Sequence, residues 1–432
     1  MLWVAFVPTL CIASAYLYMN RTDPDCGTTF AWVTKAMGPW AGWLGGWAII
    51  VADVVVMANL AQIAGVYSFA LVGWESAAAS TAAVTAVGVG WIALMTAITT
   101  IGIKLSARMQ RYLLGAEVLT LALFAIVALV RVYSGDALDG AQHPQVAWFS
   151  PLAIDGGSAA LASGVLLAVF IYWGWDSAVS VNEETTDPSR SPGRSAVLST
   201  ILLVGIYLLV ATAAIAFAGT GHLAGEADAL SILGTEVLGG TFDSLLIIAV
   251  LASATAATQT TILPTARTTL SMARAGALPA GLGVVHPRFM TPHVATILFG
   301  AVSILWYVGL TLVSENILFD SIAALGLMIA FYYGLTGFAC ALYYRRAGRR
   351  SRSGLLFAVV APALGGLIFT WVLARSVVDL ADPANSESGD AWFGVGPPLV
   401  LGAGFLALGV VAMLACNRHD RAFFARRADV LR

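Results

Sequence analysis

Twenty of the twenty-two Lys and Arg residues in this 432-residue chain fall in every second gap between eleven apolar stretches. A helix needs roughly 20 apolar residues to cross the hydrocarbon of a bilayer. The stretches at 1–18, 41–71, 79–102, 113–131, 158–180, 196–219, 243–265, 293–313, 317–344, 354–378 and 396–416 are therefore read as spans. Several exceed the minimum, which allows tilt or breaks. Only 11% of the residues are charged, against about 25% in a soluble domain, so a surface facing water everywhere is excluded. No gap is long enough for a separate soluble domain. The fold class is an all-α polytopic membrane protein, 1–432 forming a single transmembrane domain in the lipid bilayer.

The alternation also assigns sides. The basic gaps hold Arg21 and Lys35; Lys104, Arg108 and Arg111; Arg190 and Arg194; and Arg267, Arg274 and Arg288. After these come the cluster Arg345, Arg346, Arg349, Arg350 and Arg352, then Arg418, Arg421, Arg426, Arg427 and Arg432. The other gaps carry only Arg131 and Arg375 and are otherwise acidic, with Glu75, Asp136, Asp139, Glu226, Asp228, Glu236, Glu315, Asp379, Asp382, Glu387 and Asp390. Positively charged gaps face the cytoplasm. The reading is a multi-pass protein of the cell membrane, with a cytoplasmic C-terminus and Met1 extracytoplasmic. Ala13-Ser14-Ala15 mimics a signal-peptide cleavage site, but a basic n-region is absent and cleavage would reverse the parity of the first gap. The account preferred from the sequence is one helix missing before Met1.

Two gaps resemble each other. TTFAWVTKAMGPWAGWLGG (28–46) and ALSILGTEVLGG (229–240) are short amphipathic pieces ending in a glycine pair before a long span, five spans apart and on opposite sides. Inverted-topology repeats produce such a pattern. Spans 158–344 then form a five-helix repeat, 1–131 the same repeat lacking its first helix, and 354–416 two additional C-terminal helices, a 5+5 inverted-repeat fold.

Polar groups inside a membrane are costly, which makes each a candidate for function. In AVFIYWGWDSAVSVNEET (168–185), Gly174 sits between Trp173 and Trp175 and is followed by Asp176 and Ser177. A helix broken there offers N–H groups to a carboxylate and carbonyls to a cation; the alternative is a glycine used for close packing. Phe170, Tyr172 and Trp175 are placed to stack on a small solute. Asp53 is the deepest unpaired carboxylate, with Asn59 and Gln62 following it; it can bind an amine, relay a proton or tie two helices together. Ser253, Thr255, Thr258, Gln259 and Thr261 offer hydroxyl and amide groups for a coupling ion or for helix packing. Glu117 reads as interfacial, near Arg108 and Arg111. Trp40, Trp43, Trp148 and Trp392 read as interface anchors.

The four cysteines show neither pairing nor metal spacing, and the five histidines are scattered. With no nucleotide-binding loop, redox centre or nucleophile constellation, no cofactor, metal, nucleic-acid partner or enzymatic activity is expected. The connector NEETTDPSRSPGRS (182–195) reads as a gate or hinge, Glu183 and Glu184 pairing with nearby Arg.

GWDSAVSVNEETTDPSRSPGRS resembles the sixth helix and following loop of the amino acid–polyamine–organocation permeases. TARTTLSMARAGALPAGLGVVHPRFMTPHVA (265–295) resembles the loop after that family's helix eight, and DPDCGTTFAWVTKAMGPWAGWLGGW (23–47) its passage from helix two into helix three. The resemblance implies secondary transport of amino acids or related amines by alternating access, with H+ or Na+ as coupling ion or by exchange, the chain corresponding to helices two to twelve. It implies an aromatic gate at Phe170, an unwound segment around Gly174 with Asp176 as the following acid, and a site-lining face carrying Asp53 and Asn59. Span 113–131 lacks the lysine that some proton-coupled members carry in helix five. The rival is a non-transporting membrane protein of the same fold, a solute sensor or an inactive truncated permease. Solute identity and oligomeric state are not legible.

Overall fold

The computed structural model describes residues 1–150, 157–223, 229–239, 243–313, 315–346, 351–426 and 428, with backbone only at 103–107, 109, 158–159, 229–232, 243–244 and 315–317. Of the charges used above to assign sides, Glu226, Asp228, Arg349, Arg350, Arg427 and Arg432, and the side chains of Lys104 and Glu315, lie outside the described residues. So does Gly240 of the second glycine pair.

The chain runs α1 (Leu2–Thr22), α2 (Thr29–Met37), α3 (Pro39–Leu71), α4 (Thr81–Ile101), α5 (Ile103–Ser134), α6 (Gly157–Tyr172) and α7 (Ser191–Leu223). It continues with α8 (Ala229–Leu238), α9 (Asp243–Arg274), α10 (His293–Val313), α11 (Glu315–Tyr344), α12 (Ala361–Asp379) and α13 (Pro397–His419). Among the described residues, ten helices are long and apolar enough to cross a membrane. They account for ten of the eleven stretches. The protein is an all-α multi-pass membrane protein. The remaining stretch, 158–180, is interrupted: its helix stops at Tyr172 and a separate turn follows at Ser177–Ser180.

Two helices reach further than hydropathy indicates. α5 starts at Ile103 rather than 113, and α9 continues through Arg274. Arg267 and Arg274 therefore stand on a helix, and Arg267 is buried at 1% exposure. α3 and α11 form the centre and are mostly buried, whereas α5 and α13 are peripheral. α3 packs along α9, and α11 along α12. Trp43 is a correction: it is wholly buried, stacks on Trp47 and donates from Nε1 to the Ala277 carbonyl at 3.0 Å. Trp40 remains largely exposed.

The two short amphipathic pieces are helices α2 and α8, each followed by a glycine of positive φ, Gly38 at 104° and Gly239 at 80°. The glycine that ends the first piece is thus Gly38, whereas Gly45 and Gly46 lie inside α3.

Candidate functional site

Gly174 has φ +105°, a conformation that residues with a Cβ rarely adopt. A Cβ built there meets nothing within 4 Å. Close packing is therefore not what places a glycine at this position; the backbone turn is. Trp173 N–H closes onto the Phe170 carbonyl and Ser177 N–H onto the Gly174 carbonyl, so the α-helical ladder gives way between them. Carbonyls freed inside a bilayer need partners, and Tyr207 of α7 supplies one, donating to Ile171 O at 2.8 Å.

Asp176 follows the break and is 9% exposed. Its Oδ2 accepts hydrogen bonds from Tyr332 of α11 at 3.0 Å and from Tyr16 of α1 at 3.4 Å. The Tyr16 hydroxyl also contacts Thr29 Oγ1 at 3.0 Å, and Thr29 contacts Thr336 Oγ1 at 2.7 Å. Trp175 stacks on Tyr333 with centroids 5.5 Å apart and meets the Tyr16 ring edge-on at 5.0 Å. A carboxylate ringed by hydroxyls and aromatic faces is suited to an ammonium group, through charge and cation–π attraction.

The other residues singled out from the sequence divide. Trp173 donates from Nε1 to the Tyr332 hydroxyl and so belongs to this cage. Tyr172 points elsewhere, packing against Phe6 and Tyr207. Phe170 is half-buried in the packed core. Asp53 is fully buried on α3 and accepts from Thr265 of α9 at 2.8 Å. Asn59 donates to Ser321 of α11 at 3.1 Å, about 9 Å farther along α3.

Ser253, Thr255 and Thr258 do not converge. Side chains two residues apart on a helix diverge by about 160°. Thr255 and Thr258 donate to Leu251 O and Ala254 O of their own helix, both at 2.7 Å, while Ser253 donates to Glu117 at 2.9 Å. Glu117 sits near the middle of α5 and among the described residues makes no ion pair with Arg108 or Arg111. Tyr16, Tyr332, Tyr333 and Thr265 were missed. The FYYG sequence at 331–334 was the available signal: two phenols inside a span.

At the end of the bundle that carries the Arg residues of α9, the 182–185 connector is clamped. Glu184 Oε1 receives Arg267 Nε at 2.9 Å and lies 2.8 Å from its Nη2, and Arg274 Nη1 donates to Glu183 Oε2 at 2.8 Å. Burial raises the Glu183 carboxyl, but hydrogen bonds from Arg274 and the Cys26 N–H outweigh it and hold it below the usual carboxylate value. Asn182 bonds Asn20, and Asn20 bonds Pro188 O, tying the connector to α1. A cavity of about 680 Å³ opens beside this clamp, lined by Cys26, Glu183, Glu184, Arg267, Arg274 and Arg288 among others. Asp25, Cys26 and Glu183 bring their ligand atoms within 4.8 Å of one another. Ser271 and Gly27 N–H occupy Asp25, and Arg274 occupies Glu183, so protein donors hold that group together.

A protein-family model described as amino acid permease matches residues 1–406. An uncharacterized transporter of Mycobacterium tuberculosis is 31% identical over 307 residues, 69% of this chain and 63% of the relative. The branched-chain amino acid permease BcaP of Lactococcus lactis subsp. cremoris is 24% identical over 291 residues, 64% of this chain and 61% of that one. The Asc-type amino acid transporter 1 of Mus musculus is 25% identical over 324 residues, 73% and 60% of the two chains. The matched stretches thus span less than two thirds of these relatives' own length. With the model match running from α1 into the first half of α13 and across the break at Gly174, the chain belongs to the amino acid permease family of the amino acid–polyamine–organocation superfamily.

Proposed function

We propose that the protein is a secondary active transporter that moves amino acids or related amines across the cytoplasmic membrane by alternating access. The observation that carries this reading is the helix broken at Gly174 beside Asp176, in a cage built from three other elements: α1, α2 and α11. Asp176 takes the solute's ammonium group, the interrupted backbone its carboxylate, and Trp175, Tyr16 and Tyr333 cover its side chain. Asp53 offers a second carboxyl group on the α3 side. The names of the matched relatives support an amino acid as the solute.

The distribution of Lys and Arg supports a cytoplasmic C-terminus, an extracytoplasmic Met1 and a cytoplasmic position for the connector clamp. In this reading the Glu183–Arg274 and Glu184–Arg267 pairs hold the connector on the cytoplasmic side. Alternating access then requires these pairs to part. The α2 and α8 helices with their positive-φ glycines support a pair of inverted repeats, here within one transmembrane domain spanning 1–432.

The experiment is uptake by purified protein in proteoliposomes, using a panel of radiolabelled amino acids and amines with and without imposed H+ or Na+ gradients. Saturable accumulation or exchange of a panel member is the expected result. Complete absence of uptake and exchange across the panel contradicts the reading and favours a solute sensor of the same fold.

A further inference from the structure

Two of the three arginines beside the connector spend their charge on it, and the third does not. Arg274 is paired with Glu183 and Arg267 with Glu184, whereas Arg288 makes no ion pair among the described residues. All five side chains line the cavity of about 680 Å³ at that end of the bundle. Three guanidinium groups against two carboxylates leave it with positive charge in excess, and Asp176, Tyr16 and Tyr332 take no part in its lining.

Arg267 adds a second observation. It is 1% exposed, so its guanidinium is out of water. Its Nε holds Glu184 at 2.9 Å, but Nη1 is buried and has no hydrogen-bond acceptor among the described residues. A buried donor without an acceptor carries its full desolvation cost, and more so when it is charged. An anion in the cavity removes that cost.

Arg288 is held at the same cavity by a loop that folds on itself. His286 Nδ1 accepts the N–H groups of Arg288 and Phe289 at 3.2 and 3.1 Å. Thr291 Oγ1 donates to Thr100 O, near the end of α4, at 2.7 Å. Thr291 and Pro292 line the cavity just before α10 starts at His293. The positive end of that 21-residue helix therefore borders the cavity, which favours an anion.

We propose that this cavity binds a phosphate group, with Arg267 Nη1, Arg288 and the start of α10 as its donors. A phosphate offers several strong acceptor oxygens and matches the guanidinium fork bidentately. Arg267 keeps Glu184 on Nε while Nη1 takes the anion, so occupancy fastens the connector to α9 rather than releasing it. Cys26 lines the same cavity, and a bound phosphate covers its thiol. Soluble phosphate and the headgroup of an anionic phospholipid present the same oxygens to these donors.

The test is thermal unfolding of the purified protein in maltoside micelles. Inorganic phosphate is titrated at constant ionic strength against chloride, and in a second arm phosphatidic acid is doped into the micelles. The unfolding midpoint should rise and saturate in at least one arm. A rise with inorganic phosphate names a soluble ligand; a rise with phosphatidic acid alone names a lipid headgroup. Arg288→Gln removes one charge-assisted donor and leaves both connector pairs, so the half-maximal concentration should increase about tenfold. Arg190→Gln, which removes an exposed charge of the connector outside the cavity, should titrate as wild type. At about ten times the half-maximal concentration, maleimide labelling of Cys26 should slow about tenfold in a protein whose other cysteines are Ser. No saturable rise in either arm overturns the proposal. So do equal titrations of wild type and Arg288→Gln, or unchanged labelling of Cys26. None of these readouts requires transport, so they stand or fall separately from the transport reading.

Discussion

The Tyr332 hydroxyl donates a 3.0 Å hydrogen bond to Asp176, joining α11 to the segment just past the break in α6. A hydrogen bond of this kind contributes about 1 kcal/mol, and more when the acceptor is charged. Tyr332→Phe should therefore raise the apparent KM for the transported solute about five- to tenfold, with the protein still inserted. Initial-rate uptake at varied solute concentration measures this. An unchanged KM places the solute elsewhere.

The clamp on the connector has a built-in reporter. Cys26 is buried at 2% exposure, donates from Sγ to Arg267 O, and lines the cavity beside Glu183. Burial pushes its thiol well above the ordinary value, so it should label slowly. The Glu183–Arg274 pair is partly exposed and is worth at most about 1 kcal/mol. Glu183→Gln should accordingly raise maleimide labelling of Cys26 about fivefold, in a protein whose other three cysteines are Ser. The pH dependence has a definite sign. The folded-state value of Glu183 is lowered, so the clamp's stabilisation is complete above the ordinary carboxylate value. It is lost as pH falls through that lowered value, and near neutral pH the pair persists.

On the opposite end of α11, Asp320 is wholly buried and accepts hydrogen bonds from Glu387 N–H, at 2.8 Å, and from the Ser388 hydroxyl. It pins the loop between α12 and α13. Asp320→Ala should speed amide hydrogen exchange at Glu387 by roughly tenfold or more and leave the amides in the middle of α11 unchanged. Exchange at Glu387 equal to that of wild type means that other contacts hold the loop.

How much of this was legible follows from where the information lies. The spans were readable because twenty apolar residues leave an unmistakable run, and the break because a glycine between two tryptophans is conspicuous within one. The cage was not. Tyr16 and Tyr332 stand about as far from Asp176 in sequence on either side, and a phenol in a span gives no sign of its partner. Glu117 was placed at the start of its span because the first turns of α5, carrying Lys104, Arg108 and Arg111, look like loop to a hydropathy reading. A helix starting at Ile103 puts the acid near mid-helix, where it meets Ser253 of α9. Trp43 failed for a related reason, since a tryptophan at a span's end looks the same whether it faces headgroups or a carbonyl. The hydroxyls of α9 were judged by composition, whereas helical geometry sends Ser253 and Thr255 to opposite sides.

The backbone turn at Gly174 is the centre of the account, and Gly174→Ala isolates it. The added methyl meets nothing within 4 Å, so no neighbour is displaced; only φ at +105° is penalised. Strain of this class costs about 1–3 kcal/mol. The direct measurement is radiolabelled amino acid uptake by wild type and Gly174→Ala in proteoliposomes at matched protein content, with thermal unfolding in parallel. The account predicts transport by wild type and a loss of about tenfold or more in the variant, with insertion and folding retained. Equal uptake by the two proteins contradicts it.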